Sequence, residues 1–341
     1  MYALQKTVKE LGAEAEIIDY DCPRISGCYQ AFPLRVLVHP RLFLHAVLNY
    51  KEQSHRNQKF EQFEKKHMTF SEKLDKKALS HVADRYDAYI VGSDQVWNPL
   101  ITGGDSAYFL DFVKDRQKKF AYAASFGVSS WPVGYPSAGK MLEDFRAIST
   151  REKTGSGIVR TVTEKTPPLS VSVDPVFLPG RAIWQHFVKP ATGQKPYLFI
   201  YVVGSGKQEE VYRKAAELAK EKHLEIINLR YGKPLRHKEF SVGHLAYEAG
   251  PDEFVSYIAN AECVVTESFH ATAFSTIFHK DMYVSKPEKV SSRITDLFDV
   301  AGIAGRFIGE KMQPIDWDMV DERLEKAKAD SLRYLKEIIE G

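Results

Sequence analysis

The sequence predicts an α/β fold with parallel sheets, arranged as two domains. Three observations lead there. Short apolar runs of strand length alternate with longer segments of helical periodicity, the pattern of the β-α units that build a parallel sheet. The length, 341 residues, suits two domains of ordinary size. Near the middle, Pro175 to Pro196 carries four prolines with Gly180 and Gly193, a composition that marks a passage between domains.

In chain order, Tyr2 to Leu11 reads as a helix stopped by Gly12, and Glu16 to Tyr20 as a strand. A doubly wound domain opens with a strand before its first helix, and none precedes Tyr2, so the first sheet is expected to be short of one member. Residues 31 to 85 read as mostly helical. The dense charges from Lys51 to Lys77 fit a solvated helical face or, less favoured, an arm that packs on a partner subunit. Strands are expected at 88–92, 119–124, 147–149 and 171–173, with a helix from Gly139 to Phe145. The second half opens with a strand at Tyr197 to Val203, the turn Gly204-Ser205-Gly206-Lys207 and a helix from Gln208 to Lys222. Further strands fall at 224–229 and 262–266, helices at 251–259 and 270–278, and a long last helix from Trp317 to Ile339. The last helix is expected to cross back onto the first domain. The domains therefore run 1–178, completed by 315–341, and 179–314.

Composition narrows the function. With 44% hydrophobic and 12% aromatic residues the chain can fill substantial cores. A formal charge of +2 gives no electrostatic case for nucleic acid. Cys22, Cys28 and Cys263 are too few and too irregularly spaced for a disulfide framework or a zinc site, and reduced thiols in a cytoplasmic protein are expected. No apolar run approaches the roughly 18 residues that cross a bilayer. Met1 to Glu10 reads as amphipathic helix, and no signal peptide is expected there. His223, His237 and His244 lack partners at metal-ligand spacing, and no metal is expected.

The chemistry concentrates at strand ends. After the apolar run Ala88 to Val91 come Gly92, Ser93, Asp94, Gln95, Val96, Trp97, Asn98 and Pro99. Ligands of open parallel sheets bind beyond the carboxyl ends of strands. Gly92 permits a tight turn, and hydroxyl, carboxylate and amide groups surround the flat face of Trp97, as a polyhydroxylated ligand requires. A turn whose polar residues only cap the chain is the plain alternative. Thr266 to Thr272 lies between a strand and a helix whose N-terminus is a ready anion site, with Ser268 or Thr266 as cap and His270 over the first turn. A simple N-cap with a surface histidine would look the same. Arg151 can fork onto a carboxylate or phosphate, or pair with Glu152 or Asp144. Asp174-Pro175 reads as a structural turn. Ser292-Arg293 is a further anion candidate, and Ser125 before Phe126-Gly127 shares the sheet edge of Asp94. Gly204 to Lys207 lacks the G-x-x-x-x-G-K-[ST] spacing of a nucleotide-triphosphate loop, and no G-x-G-x-x-G is present.

The string Gly92-Ser93-Asp94-Gln95-Val96-Trp97-Asn98-Pro99 resembles the signature of the polysaccharide pyruvyl transferase family. Tyr2-Ala3-Leu4-Gln5, Ala121 to Gly127, Arg151-Glu152-Lys153, Val173-Asp174-Pro175 and Thr266-Glu267-Ser268-Phe269-His270 follow in the family's order. The resemblance implies two Rossmann-like domains facing a cleft in the glycosyltransferase-B manner, and transfer of a pyruvyl group from phosphoenolpyruvate to a sugar as a ketal. In the family a strand and a Gly-containing loop precede the Tyr2-Ala3-Leu4-Gln5 helix. Some members carry arginine where Ser268 stands here, and a serine cannot grip phosphate bidentately.

On that resemblance His270 is the expected general acid or phosphate clamp, and Asp94 is expected to orient or deprotonate an acceptor hydroxyl. Arg151, Ser268, Phe269, Thr272 and Arg293 are expected around the donor anion. Ser93, Gln95, Trp97, Asn98 and Ser125 are expected around the acceptor. Phosphoenolpyruvate is expected as co-substrate with no other cofactor, and a sugar or lipid-linked saccharide as acceptor; an oligomer is compatible with the sequence. A nucleotide-sugar glycosyltransferase and a catalytically silent sugar-binding protein are the alternatives.

Overall fold

The computed structural model describes residues 1–29, 40–135, 138–191, 195–203, 208–230, 240, 242–286 and 292–341. The turn Gly204 to Lys207 and His237 lie outside the described residues, as does the side chain of Cys28. The chain opens with α1 (Tyr2–Glu10), β1 (Ile17–Tyr20), α2 (Pro23–Tyr29), α3 (Pro40–His67) and β2 (Phe70–Leu74). Next come β3 (Tyr89–Val91), α4 (Pro99–Thr102), β4 (Lys119–Ala124), α5 (Gly139–Glu143), β5 (Ala147–Thr150), α6 (Lys153–Val162), β6 (Leu169–Val171) and α7 (Arg181–Gln185). The second half holds β7 (Tyr197–Tyr201), α8 (Gln208–Glu221), β8 (Glu225–Leu229), β9 (His244–Leu245), α9 (Pro251–Asn260) and β10 (Cys263–Thr266). It ends with α10 (Phe269–Ile277), β11 (Asp281–Val284), α11 (Arg293–Ala301) and α12 (Trp317–Glu340).

Every strand pair is parallel, as the alternation of strands and helices requires. One sheet has the order β3-β4-β5-β6, another the order β11-β10-β7-β8-β9, and β1-β2 forms a separate pair. Parallel strands covered on both faces are expected to be uniformly apolar, and β4 and β10 are buried at every position. One face of the four-stranded sheet packs Trp97, Phe109, Phe126, Phe145 and Ile148 together. Its other face meets α1 and α12 through Val8, Phe120, Tyr122, Leu335 and Ile338.

Helix α12 belongs to both halves. Val320 and Leu324 join the core of the five-stranded sheet, whereas Leu335 and Ile338 join that of the four-stranded one. Tyr334 donates to the Ala121 carbonyl at 3.0 Å and Ser331 accepts from the Val173 amide at 3.0 Å. The expected return of the last helix onto the first sheet is thus present, secured where β4 and the end of β6 meet it.

Residues 31–39 lie outside the described residues; from 40 to 85 the chain is mostly helical as expected, with β2 after α3 pairing with β1. Other expected elements are adjusted. Strand β6 sits at 169–171 rather than 171–173. Strand β11 went unforeseen, since Asp281–Val284 is short and follows an apolar helix directly. Nor are the charges of α3 only a solvated face. Lys59 bonds both carboxylate oxygens of Glu253 at 2.9 and 2.7 Å, and His55 lies 3.1 Å from Glu248, so α3 is fastened to α9 and to the turn before it. No helix among the described residues is long and apolar enough to cross a membrane.

The turn after β3 depends on one glycine. Gly92 has φ +132°, and a Cβ there would stand 2.0 Å from the Tyr122 carbonyl oxygen of the neighbouring strand. Gly92→Ala is expected to destabilise the fold by roughly 3 kcal/mol, through positive φ and a backbone clash that cannot relax. Urea unfolding checks this; a change below about 0.5 kcal/mol would show that the turn can move.

Candidate functional site

The carboxyl ends of both large sheets open into one cavity of about 820 Å³. From the four-stranded sheet come Ser93, Asp94 and Gln95 after β3, and Asp174 and Pro175 after β6. From the five-stranded sheet come Val203 after β7, Glu267, Ser268, Phe269 and His270 after β10, and Ser285 and Lys286 after β11; Arg293 at the start of α11 completes this polar end. An aromatic end is formed by Tyr2, Phe60, Phe63, Trp184, Phe187 and Phe254, with Arg56 beside it. A volume of this size takes a small-molecule ligand whole.

Asp94 sits in left-handed backbone at φ 68°, a conformation a short polar residue tolerates. Its carbonyl accepts from the Ser125 amide at 2.9 Å and the Val96 amide at 2.8 Å, which ties the loop to β4. Its carboxylate accepts from Arg151 at 3.2 Å. Burial favours the neutral acid, but Arg151, His270 and Arg293 outweigh it and hold the pKa at about 2. Asp94 is therefore an anion throughout the neutral range, suited to orienting a hydroxyl and too weak a base to remove its proton readily.

Arg151 lies beneath the cavity with its side chain 2% exposed. It donates to Asp174 at 2.7 Å as well as to Asp94, and its Nε stands 3.7 Å from the buried Glu152. The face of Phe269, arriving from the other sheet, packs under the guanidinium at 4.5 Å. Burial would lower its pKa, yet the carboxylates of Asp174, Asp94 and Glu152 together raise it. Nε of Arg151 and Oε2 of Glu152 make no hydrogen bond. A cation committed in this way holds the two halves of the site together.

His270 occupies the first turn of α10, where Ser268 caps the helix by accepting from the Ala271 amide at 3.4 Å. The imidazole is partly exposed to the cavity and its Nε2 is 3.9 Å from Asp174. Arg293 faces the same space, its pKa lowered by burial and by Arg151, with Asp94, Glu152 and Asp174 opposing. Both Asp94 and His270 thus face one chamber, with cationic groups and a helix N-terminus on the wall that carries His270.

Several expected contacts are corrected by burial. Trp97 is fully buried, stacked on Phe109 with ring centroids 5.8 Å apart, and its Nε1 donates to the Tyr108 carbonyl. It is a core residue, not a platform for a sugar. Asn98 is buried as the cap of α4 and donates to Gln95, while Ser125 is buried and donates to Glu152. Thr272 is buried, with its hydroxyl on the Ser268 carbonyl. Arg151 is spent on carboxylates, and those are Asp174 and Asp94 rather than Asp144. Asp144 pairs with Lys119 instead. Ser93, Gln95, Ser268, Phe269 and Arg293 do line the cavity. His223 and His244 are exposed, and among the described residues no cluster could hold a metal ion.

Other lining residues escaped sequence reasoning. Asp174 was read as a turn; its side chain does cap one, by accepting from the Val176 amide at 3.1 Å, and its other oxygen faces Arg151 and His270. Lys286 and Ser285 follow β11, so recognising that strand would have placed them at a ligand-binding edge. Arg56, Phe60 and Phe63 come from the second half of α3, a helix that carries no motif, and show no local signal.

The family model described as polysaccharide pyruvyl transferase matches residues 1–284 of the chain. No curated protein and no solved structure matches it.

Proposed function

We infer, for a chain that belongs to the polysaccharide pyruvyl transferase family, that the cavity transfers the pyruvyl group of phosphoenolpyruvate to two hydroxyls of a sugar, forming a cyclic ketal. The observation that carries this reading is the meeting of Asp94 and His270 in one chamber beside Arg293 and Lys286. A doubly charged phosphate ester needs fixed positive charge, and the α10 N-terminus with these two side chains supplies it. Ser268 lacks a guanidinium at the start of α10, and Arg293 supplies one from a different helix.

The reaction begins with a proton placed on the methylene carbon of the donor, which His270 is positioned to deliver. The adjacent carbon becomes electrophilic, and one sugar hydroxyl adds to it. Phosphate then departs with the electrons of its C–O bond, and the second hydroxyl closes the ring. Of the two hydroxyl protons released, one replaces that given by His270 and the other leaves with phosphate. Asp174, 3.9 Å from Nε2 of His270, offers that ring a counter-charge, while Asp94 and Gln95 hold the acceptor hydroxyls. We further propose that residues 1–178 with 315–341, and residues 179–314, act as two Rossmann-like domains closing on the substrates, in the cytoplasm where phosphoenolpyruvate is made.

Incubating the protein with phosphoenolpyruvate and a mixture of sugars and lipid-linked saccharides tests this. The expected result is phosphate release together with an acceptor heavier by one ketal-bound pyruvyl group in the mass spectrum. Turnover of nucleotide sugars with phosphoenolpyruvate inert would overturn the reading in favour of glycosyl transfer. Sugar binding with no phosphate released from phosphoenolpyruvate, whatever the acceptor, would overturn it in favour of a silent binding protein.

A further inference from the structure

Asn98 is buried and does not line the cavity, yet it decides what Gln95 presents there. Oδ1 of Asn98 accepts from the Leu100 amide at 3.1 Å as the cap of α4. A backbone N–H only donates, so this bond fixes which branch of the Asn98 amide is the oxygen. Its Nδ2 is then the other branch, and it meets the Gln95 side chain at 2.8 Å. An amide NH₂ only donates too, so the Gln95 atom facing it is Oε1, and Nε2 is left on the opposite branch. The same side chain packs directly over Gly127, where a Cβ would stand 1.8 Å from Oε1 and 2.6 Å from Cδ. Gly127 has φ +63°, and only a residue without a side chain leaves room there for the Gln95 amide. Among the described residues none accepts from Nε2, and Gln95 lines the cavity next to Asp94.

We propose that Asn98 is a positioning residue: it holds Gln95 as a hydrogen-bond donor to the cavity, giving to the oxygen of an acceptor hydroxyl whose hydrogen goes to Asp94. The hydroxyl rests on the pyruvyl-transfer reading; the direction of the amide does not. A hydroxyl has one hydrogen and two lone pairs. Asp94 is an anion and can only accept, so it takes the hydrogen. Nε2 of Gln95 gives to one lone pair, and the second lone pair is left to attack the donor carbon. With the amide reversed, Oε1 and Asp94 would compete for a single hydrogen, and one of them would face a lone pair instead. A carboxylate or phosphate could also accept from Nε2, but the charge of Asp94 beside it repels either. The anionic donor therefore belongs on the wall of His270, Arg293 and Lys286, and the neutral sugar on that of Gln95.

Asn98→Asp and Asn98→Ser test this. Both keep an oxygen for the Leu100 amide, and aspartate and serine cap helices about as well as asparagine. In Asn98→Asp the second oxygen, once ionised, only accepts; it draws Nε2 and turns Oε1 to the cavity. Asn98→Ser leaves Gln95 unheld. The KM for the saccharide acceptor is expected to rise about ten- to a hundredfold in Asn98→Asp and less in Asn98→Ser, with the KM for phosphoenolpyruvate close to the parent's. The ratio of acceptor KM between Asn98→Asp and parent is expected to grow with pH, because a protonated carboxyl still donates to Oε1 and an ionised one cannot. An acceptor KM within twofold of the parent's at every pH overturns the proposal, and if the melting temperature falls at the same time Asn98 is only structural. Neutron diffraction from deuterium-exchanged crystals reads the amide without any turnover: the ND₂ group is expected in the cavity in the parent, and the oxygen there in Asn98→Asp. A parent with Oε1 towards the cavity overturns the proposal as well. A parent that transfers no pyruvyl group refutes the reaction, and the neutron map still decides the direction of the amide.

Discussion

His270→Ala is expected to lower the turnover of pyruvyl transfer by about 10²–10⁴-fold while leaving the melting temperature within a degree or so of the parent's. The two halves of that expectation have separate causes. The imidazole is partly exposed, and its nearest partner stands at 3.9 Å, so the fold gives up little when it is removed. Chemistry gives up much under the proposed mechanism, in which His270 supplies the proton that carbon must receive. Added imidazole is expected to restore part of the rate, since the space left opens to the cavity. Asp174→Asn should act through the same ring: it removes the carboxylate 3.9 Å behind the imidazole but not the proton donor itself. Stopped-assay phosphate release on both variants checks the pair. Turnover of His270→Ala within a few-fold of the parent would move the proton donor elsewhere.

Arg151→Met is expected to cost about 3–5 kcal/mol of folding stability, the largest loss foreseen for a single side chain here. The guanidinium contributes two hydrogen-bonded ion pairs, to Asp174 at 2.7 Å and Asp94 at 3.2 Å, and rests on Phe269. Removing it strands Asp174, whose side chain is 1% exposed, as an uncompensated buried charge. The double variant Arg151→Met/Asp174→Leu should recover most of the loss, since removing both members of a buried pair relieves the stranded charge. Equilibrium urea unfolding of the parent, the two single variants and the double variant closes the cycle. If the single Arg151→Met loses less than about 1 kcal/mol, the carboxylates are being satisfied by water and the pair is not structural. Catalysis should fail in the double variant even where stability returns, because Asp94 and His270 lose the groups that hold them in register.

Much of the arrangement was legible in the residues. Strands β4, β5, β7, β8 and β10 and helices α8, α9, α10 and α12 fall within a residue or two of their expected places, apolar period and punctuation being local properties of the chain. The strand-end rule by itself places Asp94 and His270 at loops that can face a ligand. What the rule could not do was sort the residues within a loop. Gly92 to Asn98 is one polar string in sequence, yet Ser93, Asp94 and Gln95 reach the cavity while Trp97 and Asn98 turn into the core two or three residues later. Direction of a side chain in an irregular loop depends on backbone dihedrals, such as the left-handed Asp94, that composition does not specify.

By itself the sequence determined the family, the parallel sheets, and two loops that line the cavity, because each of these is written in short-range pattern and motif. Only the tertiary structure decided that Arg151 is a buried keystone rather than a substrate clamp, that Asp174 stands behind His270, and that α3 supplies the aromatic wall. The physical reason is that these roles are set by burial and by partners far away along the chain. A guanidinium looks the same in sequence whether water, a phosphate or three carboxylates surround it, and only the packing of one sheet's ends against the other's decides which.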